Sequence, residues 1–433
     1  GGIYLAVLGG SWYYIIAGLL FIATAVLLQK LKSTALIVYA LLVLGTVVWG
    51  LWEVGSDFFA LAPRLDILGL FGLWLLIPAV TRGFDNAKSA KLVLTGSLAI
   101  TIAVMIYAVF NDPQEIRGEL SSKQPATAQS IPGVADGDWP AYGRTQSGLR
   151  YSPLTQINSE NVKDLKVAWT YNTGDFKTEN DSGETTNQVT PIKVGDNMYI
   201  CTTHQKLVAL DPATGKAKWT FDPKLKADNT FQHLTCRGVS YYDANNTAGF
   251  EASLQHKKSS SELCPRKVIL PVNDGRLVAI NADTGERCTD FGKNGEVDLQ
   301  KDMPFPYPGG YIPTSPPVVT GTTIIIAGST TDNYSTEEPS GVIRGYDVNT
   351  GALLWVFDTG AEDPNAIPAP GQKYVQNSPN AWAPLAYDAA LDMVYIPTGV
   401  GTPDIWGGNR TELHERYANS MLALNASTGK LVW

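Results

Sequence analysis

Ala209-Leu-Asp-Pro-Ala-Thr-Gly-Lys-Ala-Lys-Trp219 joins an alternating run, a turn reading x-x-Thr-Gly and a second run that closes on Trp. The pattern returns as Ala279-Ile-Asn-Ala-Asp-Thr-Gly285, as Gly345-Tyr-Asp-Val-Asn-Thr-Gly-Ala-Leu-Leu-Trp355 and as Ala423-Leu-Asn-Ala-Ser-Thr-Gly-Lys-Leu-Val-Trp433. Its glycines, 215, 285, 351 and 429, stand 70, 66 and 78 residues apart. Hairpin patterns precede three of the copies: Pro191-Ile-Lys-Val before Met198-Tyr-Ile-Cys, Pro317-Val-Val before Thr323-Ile-Ile-Ile, and Pro384-Leu-Ala-Tyr before Met393-Val-Tyr-Ile. Four short strands per repeat, separated by Gly, Asn and Asp turns, read as blades of a β-propeller. About four blades fit in residues 138–433, with long insertions at 227–266 and 286–316. Trp219, Trp355 and Trp433, at a fixed offset after Thr-Gly, are expected to pack between neighbouring blades.

Upstream of the repeats the chain changes character. Residues 1–29, 33–52 and 92–110 carry no charge, and each run approaches the length that crosses a hydrocarbon core of about 30 Å. Residues 67–81 form a shorter uncharged run bounded by Arg64, Asp66 and Arg82, and count as a fourth span. Residues 1–110 therefore read as an α-helical membrane anchor and 111–137, rich in Pro, Ser and Gly, as a linker. Lys30 and Lys32 mark the first loop, and Arg82, Lys88 and Lys91 the third, whereas the second is net acidic. The positive-inside rule puts loops one and three in the cytoplasm and exports everything after Phe110. The chain has a net charge of −8, of which residues 1–110 contribute +2. An acidic exported part argues against a nucleic-acid partner.

Longer strings narrow the reading. Asp138-Trp-Pro-Ala-Tyr-Gly-Arg144, Thr190-Pro-Ile-Lys-Val-Gly195, Phe231-Gln-His-Leu-Thr-Cys-Arg-Gly238, Thr314-Ser-Pro-Pro317, Thr331-Asp-Asn333, Val342-Ile-Arg-Gly345 and Thr402-Pro-Asp-Ile-Trp-Gly-Gly-Asn-Arg410 resemble the membrane-bound quinoprotein glucose dehydrogenases. The resemblance implies five membrane helices, of which four would be present here. It also implies an eight-bladed propeller with pyrroloquinoline quinone (PQQ) on its axis, and residues 138–433 would be its N-terminal part. The implied activity is oxidation of the C1 hydroxyl of glucose and other aldoses to the lactone, with electrons passed to ubiquinone. The implied location is the bacterial inner membrane, with the large domain in the periplasm.

By the same resemblance, Asp332, Asn333 and Thr402 hold a Mg²⁺ or Ca²⁺ ion that acts as Lewis acid on the quinone. Alone, Thr331-Asp-Asn333 reads as an Asx-type turn. Alcohol-oxidising relatives have Glu and Asn where Asp332 and Thr402 stand, so this pair resembles the sugar-oxidising branch. Trp382, outside the Thr-Gly-x-x-x-Trp register, is implied to stack under PQQ, Arg237 to bind its carboxylate, and His233 to take the opposite face. Gln188 stands where relatives carry a PQQ-contacting Glu. The family's general base, an Asp, and a PQQ-binding Lys are expected beyond Trp433, so a chain ending there is expected to be inactive. A non-enzymatic anchored scaffold is the alternative, and the Trp382, Arg237 and Asp332/Asn333/Thr402 set argues against it.

Cys201, Cys236, Cys264 and Cys288 allow three complete pairings and lack metal-ligand spacing. The Asn-x-Ser/Thr sequons at 245, 333, 409 and 425 are short enough to arise by chance.

Overall fold

The computed structural model describes residues 2–7, 10–85, 87–111, 113, 130, 133–181, 183–225, 230–244 and 264–433. The chain falls into two compact units, Gly1–Pro125 and Ala126–Trp433. Most of the 111–137 linker, much of the 227–266 insertion and the sequon at Asn245 lie outside the described residues.

In the first unit the helices are Gly2–Val7, Tyr13–Gln29, Thr34–Val54, Phe58–Leu76 and Ala87–Phe110. The last three are long and apolar enough to cross a membrane, and Tyr13–Gln29 is a shorter apolar helix. Two boundaries differ from the sequence reading. The uncharged run over 1–29 is broken, with Gly10 and Ser11 outside both of its helices. The span expected over 67–81 is instead Phe58–Leu76. Asp57 caps it by accepting from the Ala60 N–H at 3.1 Å, and Arg64 is neutralised by Glu53 at 2.8 Å, so the charges do not mark its start. Pro78 sets its end, because the residue before a proline is pushed out of helical geometry and Ile77 adopts φ −61°, ψ 128°. Loops one and three meet at one end of the bundle, where Asp85 pairs with Lys32 at 3.2 Å and accepts from the Ser33 N–H at 2.8 Å.

The second unit is a row of antiparallel sheets whose strands lie in chain order. Blade I comprises Ile192–Val194, Asn197–Cys201, Leu207–Leu210 and Ala217–Phe221; blade II, Ser240–Asp243, Arg266–Val272, Arg276–Asn281 and Glu296–Asp298. Blade III comprises Val318–Val319, Thr323–Ile326, Ile343–Asp347 and Leu353–Phe357. Blade IV has Ala386–Asp388, Met393–Pro397 and Met421–Asn425, with Leu431 bridging to Leu424. The 286–316 segment is therefore not wholly an insertion, since Glu296–Asp298 closes blade II. The blades pack through both faces of their strands: Val268 and Leu270 meet Tyr199 and Leu207 of blade I, while Ile269 joins Ile324 and Ile326 of blade III.

The repeated turn is one device used four times. Its Asp or Asn side chain accepts from the Thr N–H, as in Asp211 to Thr214 at 2.8 Å and Asp347 to Thr350 at 2.7 Å. The following glycine takes positive φ, 69° at both Gly215 and Gly429. Space reinforces that choice. A Cβ on Gly285 would lie 2.7 Å from the Trp219 ring, and one on Gly429 would lie 2.4 Å from Trp355. Each docking Trp thus sits on the next copy's turn, and Trp355 Nε1 donates to the Ala426 carbonyl at 3.0 Å. Trp169, which precedes the first copy, does the same on Gly215 and donates to Pro212 O at 3.1 Å. Trp433 has no following copy in this sequence to sit on and is 77% exposed. Of the three possible pairings, the cysteines adopt Cys201–Cys236 and Cys264–Cys288.

Candidate functional site

Besides the blades, the described residues include a parallel strand pair. Glu184–Asn187 runs beside His233–Cys236, with Glu184 opposite His233 and Thr186 opposite Thr235. Alternate residues of a strand share a face, so Glu184, Thr186 and Gln188 on one side, and His233, Thr235 and Arg237 on the other, present one polar surface. All six line a cavity of about 320 Å³, completed by Ile312, Thr314, Ser329, Asp332, Trp382 and Asp404. Five of the residues singled out from sequence, Gln188, His233, Arg237, Trp382 and Asp332, therefore meet in one place. Asn333 and Thr402 do not line it; they lie in the loops that carry Asp332 and Asp404.

Arg237 sits over the Trp382 ring, 5.0 Å from its centroid, and donates to Thr314 Oγ1. Burial lowers the Arg237 pKa. Trp382 is held through its backbone, whose carbonyl accepts from Ser315 Oγ at 2.5 Å, and the residue stays 48% exposed. His233 lies between two carboxylates, with Nδ1 3.1 Å from Glu184 and Nε2 3.8 Å from Asp332. Its pKa is raised, first by the hydrogen bond to Asp332, against burial, and also by Glu184. Gln188, whose Nε2 donates to Thr186 Oγ1 at 3.1 Å, supplies an uncharged amide.

Asp332 is fixed by a residue that the sequence did not single out. Gln232 donates from Nε2 to Asp332 O at 2.7 Å and accepts from Asp332 N–H at 2.7 Å. Asn333 takes φ 53°, and its Oδ1 accepts from the Ile405 N–H at 2.9 Å, stitching the two loops together. Asp404 thereby faces Asp332, and burial together with the Asp332 carboxyl pushes its pKa up to about 6. Thr402 is fully buried, with its N–H and C=O paired to Asn377, while its Oγ1 has no partner. No group of three or more His, Cys, Asp or Glu among the described residues is arranged to hold a metal. A cation here would rely on carboxylate, amide and hydroxyl oxygens, which suits a hard ion such as Mg²⁺ or Ca²⁺.

Glu184, Thr186, Thr235 and Asp404 were also missed. For the first three the available signal was the two-residue period around Gln188 and His233.

The family described as PQQ: Glucose/ethanol/alcohol dehydrogenase, beta-propeller domain, matches residues 139–433. Over its whole length the chain is 73% identical to quinoprotein glucose dehydrogenase A of Acinetobacter calcoaceticus and 58% identical to quinoprotein glucose dehydrogenase of Escherichia coli K12. It covers 54% of each, and so spans about half the length of the curated relatives it matches. A europium-containing methanol dehydrogenase shares the fold, with TM-score 0.51 and 20% identity over 70% of this chain and 49% of that one. The repeats, the blades and the matched family together make this chain a member of the PQQ-type glucose/ethanol/alcohol dehydrogenase β-propeller family.

Proposed function

We propose that the chain is part of a membrane-anchored dehydrogenase that oxidises the C1 hydroxyl of glucose or another aldose to the lactone. In this reading the cavity lined by Trp382 and Arg237 binds PQQ, with Mg²⁺ or Ca²⁺ beside it. The carrying observation is convergence: five residues spread from Gln188 to Trp382 line one cavity of about 320 Å³, within the usual range for small-molecule sites.

The donor set suits both groups. PQQ is flat and carries three carboxylates; Trp382 offers a half-exposed aromatic face, Arg237 a cation beside it, and Gln188 and Thr314 hydrogen-bonding groups. The Asp332 carboxylate, the Asn333 amide and the orphaned Thr402 hydroxyl are the oxygens expected to hold the ion. When bound, PQQ supplies the two-electron acceptor for a hydride from C1, with the ion polarising its carbonyl. The protein's part is to orient. Gln232 fixes the backbone of Asp332, and His233, held between Glu184 and Asp332, presents its ring to the cavity. The long apolar helices support a membrane anchor, with loops one and three cytoplasmic, the propeller periplasmic and ubiquinone as acceptor.

The test uses the full-length protein in its own membrane, stripped of cofactor by a chelator. Restored glucose-dependent quinone reduction on adding PQQ with Mg²⁺ or Ca²⁺, and on adding neither alone, is the expected result. Activity that is indifferent to PQQ would overturn the reading.

A further inference from the structure

We propose that Asn377 is a positioning residue for one end of this cavity: it ties loop 331–338, which carries Asp332 and Asn333, to loop 402–405, which carries Thr402 and Asp404, and so sets the spacing of the two. The inference rests on the cavity being the cofactor site.

Asn377 lies on neither loop. It stands in the crossing from Leu353–Phe357 of blade III to Ala386–Asp388 of blade IV, is 3% exposed and has every polar atom paired. Its Nδ2 donates to Thr402 O at 2.8 Å and to Thr336 O at 3.1 Å, and its Oδ1 accepts from the Glu338 N–H at 3.2 Å. The main-chain N–H is shared between Glu338 O and Pro339 O, at 3.3 and 3.2 Å, and the C=O accepts from the Thr402 N–H at 3.2 Å. One side chain therefore reaches both loops. The approach is close, since a Cβ on Gly401 would lie 2.6 Å from Asn377 O.

The residue type follows from this geometry. Its φ is 59°, a left-handed conformation that asparagine and aspartate tolerate better than most residues. The three side-chain bonds need two N–H donors and one acceptor on a short stem, which a carboxamide supplies and a carboxylate does not. What it fastens has little slack. Glu338 Oε2 accepts from Thr331 Oγ1 and, at 2.7 Å, from Tyr307 Oη, which closes loop 331–338 end to end. Gln232 holds both the N–H and the C=O of Asp332. A second stitch joins the loops at Asn333, left-handed at φ 53°, whose Oδ1 accepts from the Ile405 N–H at 2.9 Å. Asn333 is itself expected to hold the ion, so a ligand competes for that oxygen. Asn377 does not line the cavity, and its stitch keeps the spacing whether or not a ligand is bound.

Asn365 supplies the control. Its Nδ2 also donates to two carbonyls, Val356 O at 2.8 Å and Gly429 O at 2.9 Å, and it too stands outside the cavity lining. Full-length protein freed of cofactor and cation is titrated with Mg²⁺ and with Ca²⁺ at fixed PQQ, and bound PQQ is read by quenching of tryptophan fluorescence, without turnover. Asn377→Gly and Asn377→Asp, the second of which keeps the size and the tolerated φ, should need at least about tenfold more cation for half-maximal binding, as is usual when a group that orients metal ligands is lost. Asn365→Gly should lower the melting temperature and leave the cation requirement of the parent unchanged. An unchanged requirement in the Asn377 variants, an equal rise in Asn365→Gly, or failure of both Asn377 variants to fold overturns the inference and leaves the cofactor site standing. If the parent binds PQQ without any cation, or does not bind it, the reading of the site and this inference fall together.

Discussion

Trp355 and Trp382 are the same residue put to opposite uses. Trp355 is 5% exposed, lies on the Gly429 turn and has its Nε1 satisfied by Ala426. Trp382 is 48% exposed, with only Arg237 over its ring. A tryptophan spent on packing is covered on its faces and paired at its nitrogen. One kept for a ligand leaves its face to something that can move away. In the proposed reading, the difference marks where the fold is finished and where it leaves a face for the cofactor.

Replacing Trp355 by Ala breaks the packing half of this contrast, and should have the largest effect. The ring fills the space over Gly429, so the loss should be about 3–5 kcal/mol in chemical denaturation, with PQQ affinity of the surviving folded fraction unchanged. Trp382→Ala inverts the pattern. It should cost little stability, yet weaken PQQ binding in fluorescence titration by about 10-fold or more, on the order of 1.4 kcal/mol. Equal stability losses in the two variants would erase the distinction.

The junction between blades II and III sharpens the comparison from a third side, because the second copy has no Trp. There a Cβ on Gly351 would meet Gly292 N at 2.9 Å and Val297 at 2.9 Å, and the Gly292 N–H donates to Thr350 O at 2.8 Å. Backbone and one aliphatic side chain do what a ring does elsewhere. Val297→Ala should therefore cost only about 1 kcal/mol in the same denaturation assay, the smallest of the three effects. A loss matching that of Trp355→Ala would mean that the valine, not the backbone bond, holds this junction.

The junctions also show why repeats are legible. Thr-Gly turns are local, since the Asp211 to Thr214 bond spans three residues, and their spacing repeats along the chain. Blades could be counted from them. The cavity was legible only where a string of residues resembled a known family. Its parallel ribbon was not, because Glu184-Thr-Thr-Asn187 has no apolar alternation and its partner strand lies far along the chain. Asp404 was hidden for another reason. Thr402-Pro-Asp404 reads as a loop, and only the Asn333 to Ile405 bond turns its carboxyl toward Asp332. Charge misled at the helix Phe58–Leu76, where Arg64 pairs with Glu53 of the preceding helix instead of marking a boundary.

The Trp219 junction carries a subtler lesson. Its indole nitrogen has no partner, because Tyr199 Oη takes the Ala282 carbonyl that the repeat would offer it, at 3.0 Å. One repeat thus gave up a hydrogen bond that its equivalents keep at Pro212 and Ala426.

The Cys201–Cys236 bridge changes how far apart the ribbon's two strands are along the covalent path. Asn187 pairs with Cys236, 49 residues away, with the whole of blade I between them. Once Cys236 is joined to Cys201, the route from Asn187 runs through only about 14 residues and one sulfur link. Loop-closure entropy scales with the logarithm of that length, so the shortcut lowers the cost of closing the ribbon by about 1 kcal/mol. Neither cysteine lines the cavity, although Cys236 stands between the lining residues Thr235 and Arg237, and the bridge acts on that wall through contour length.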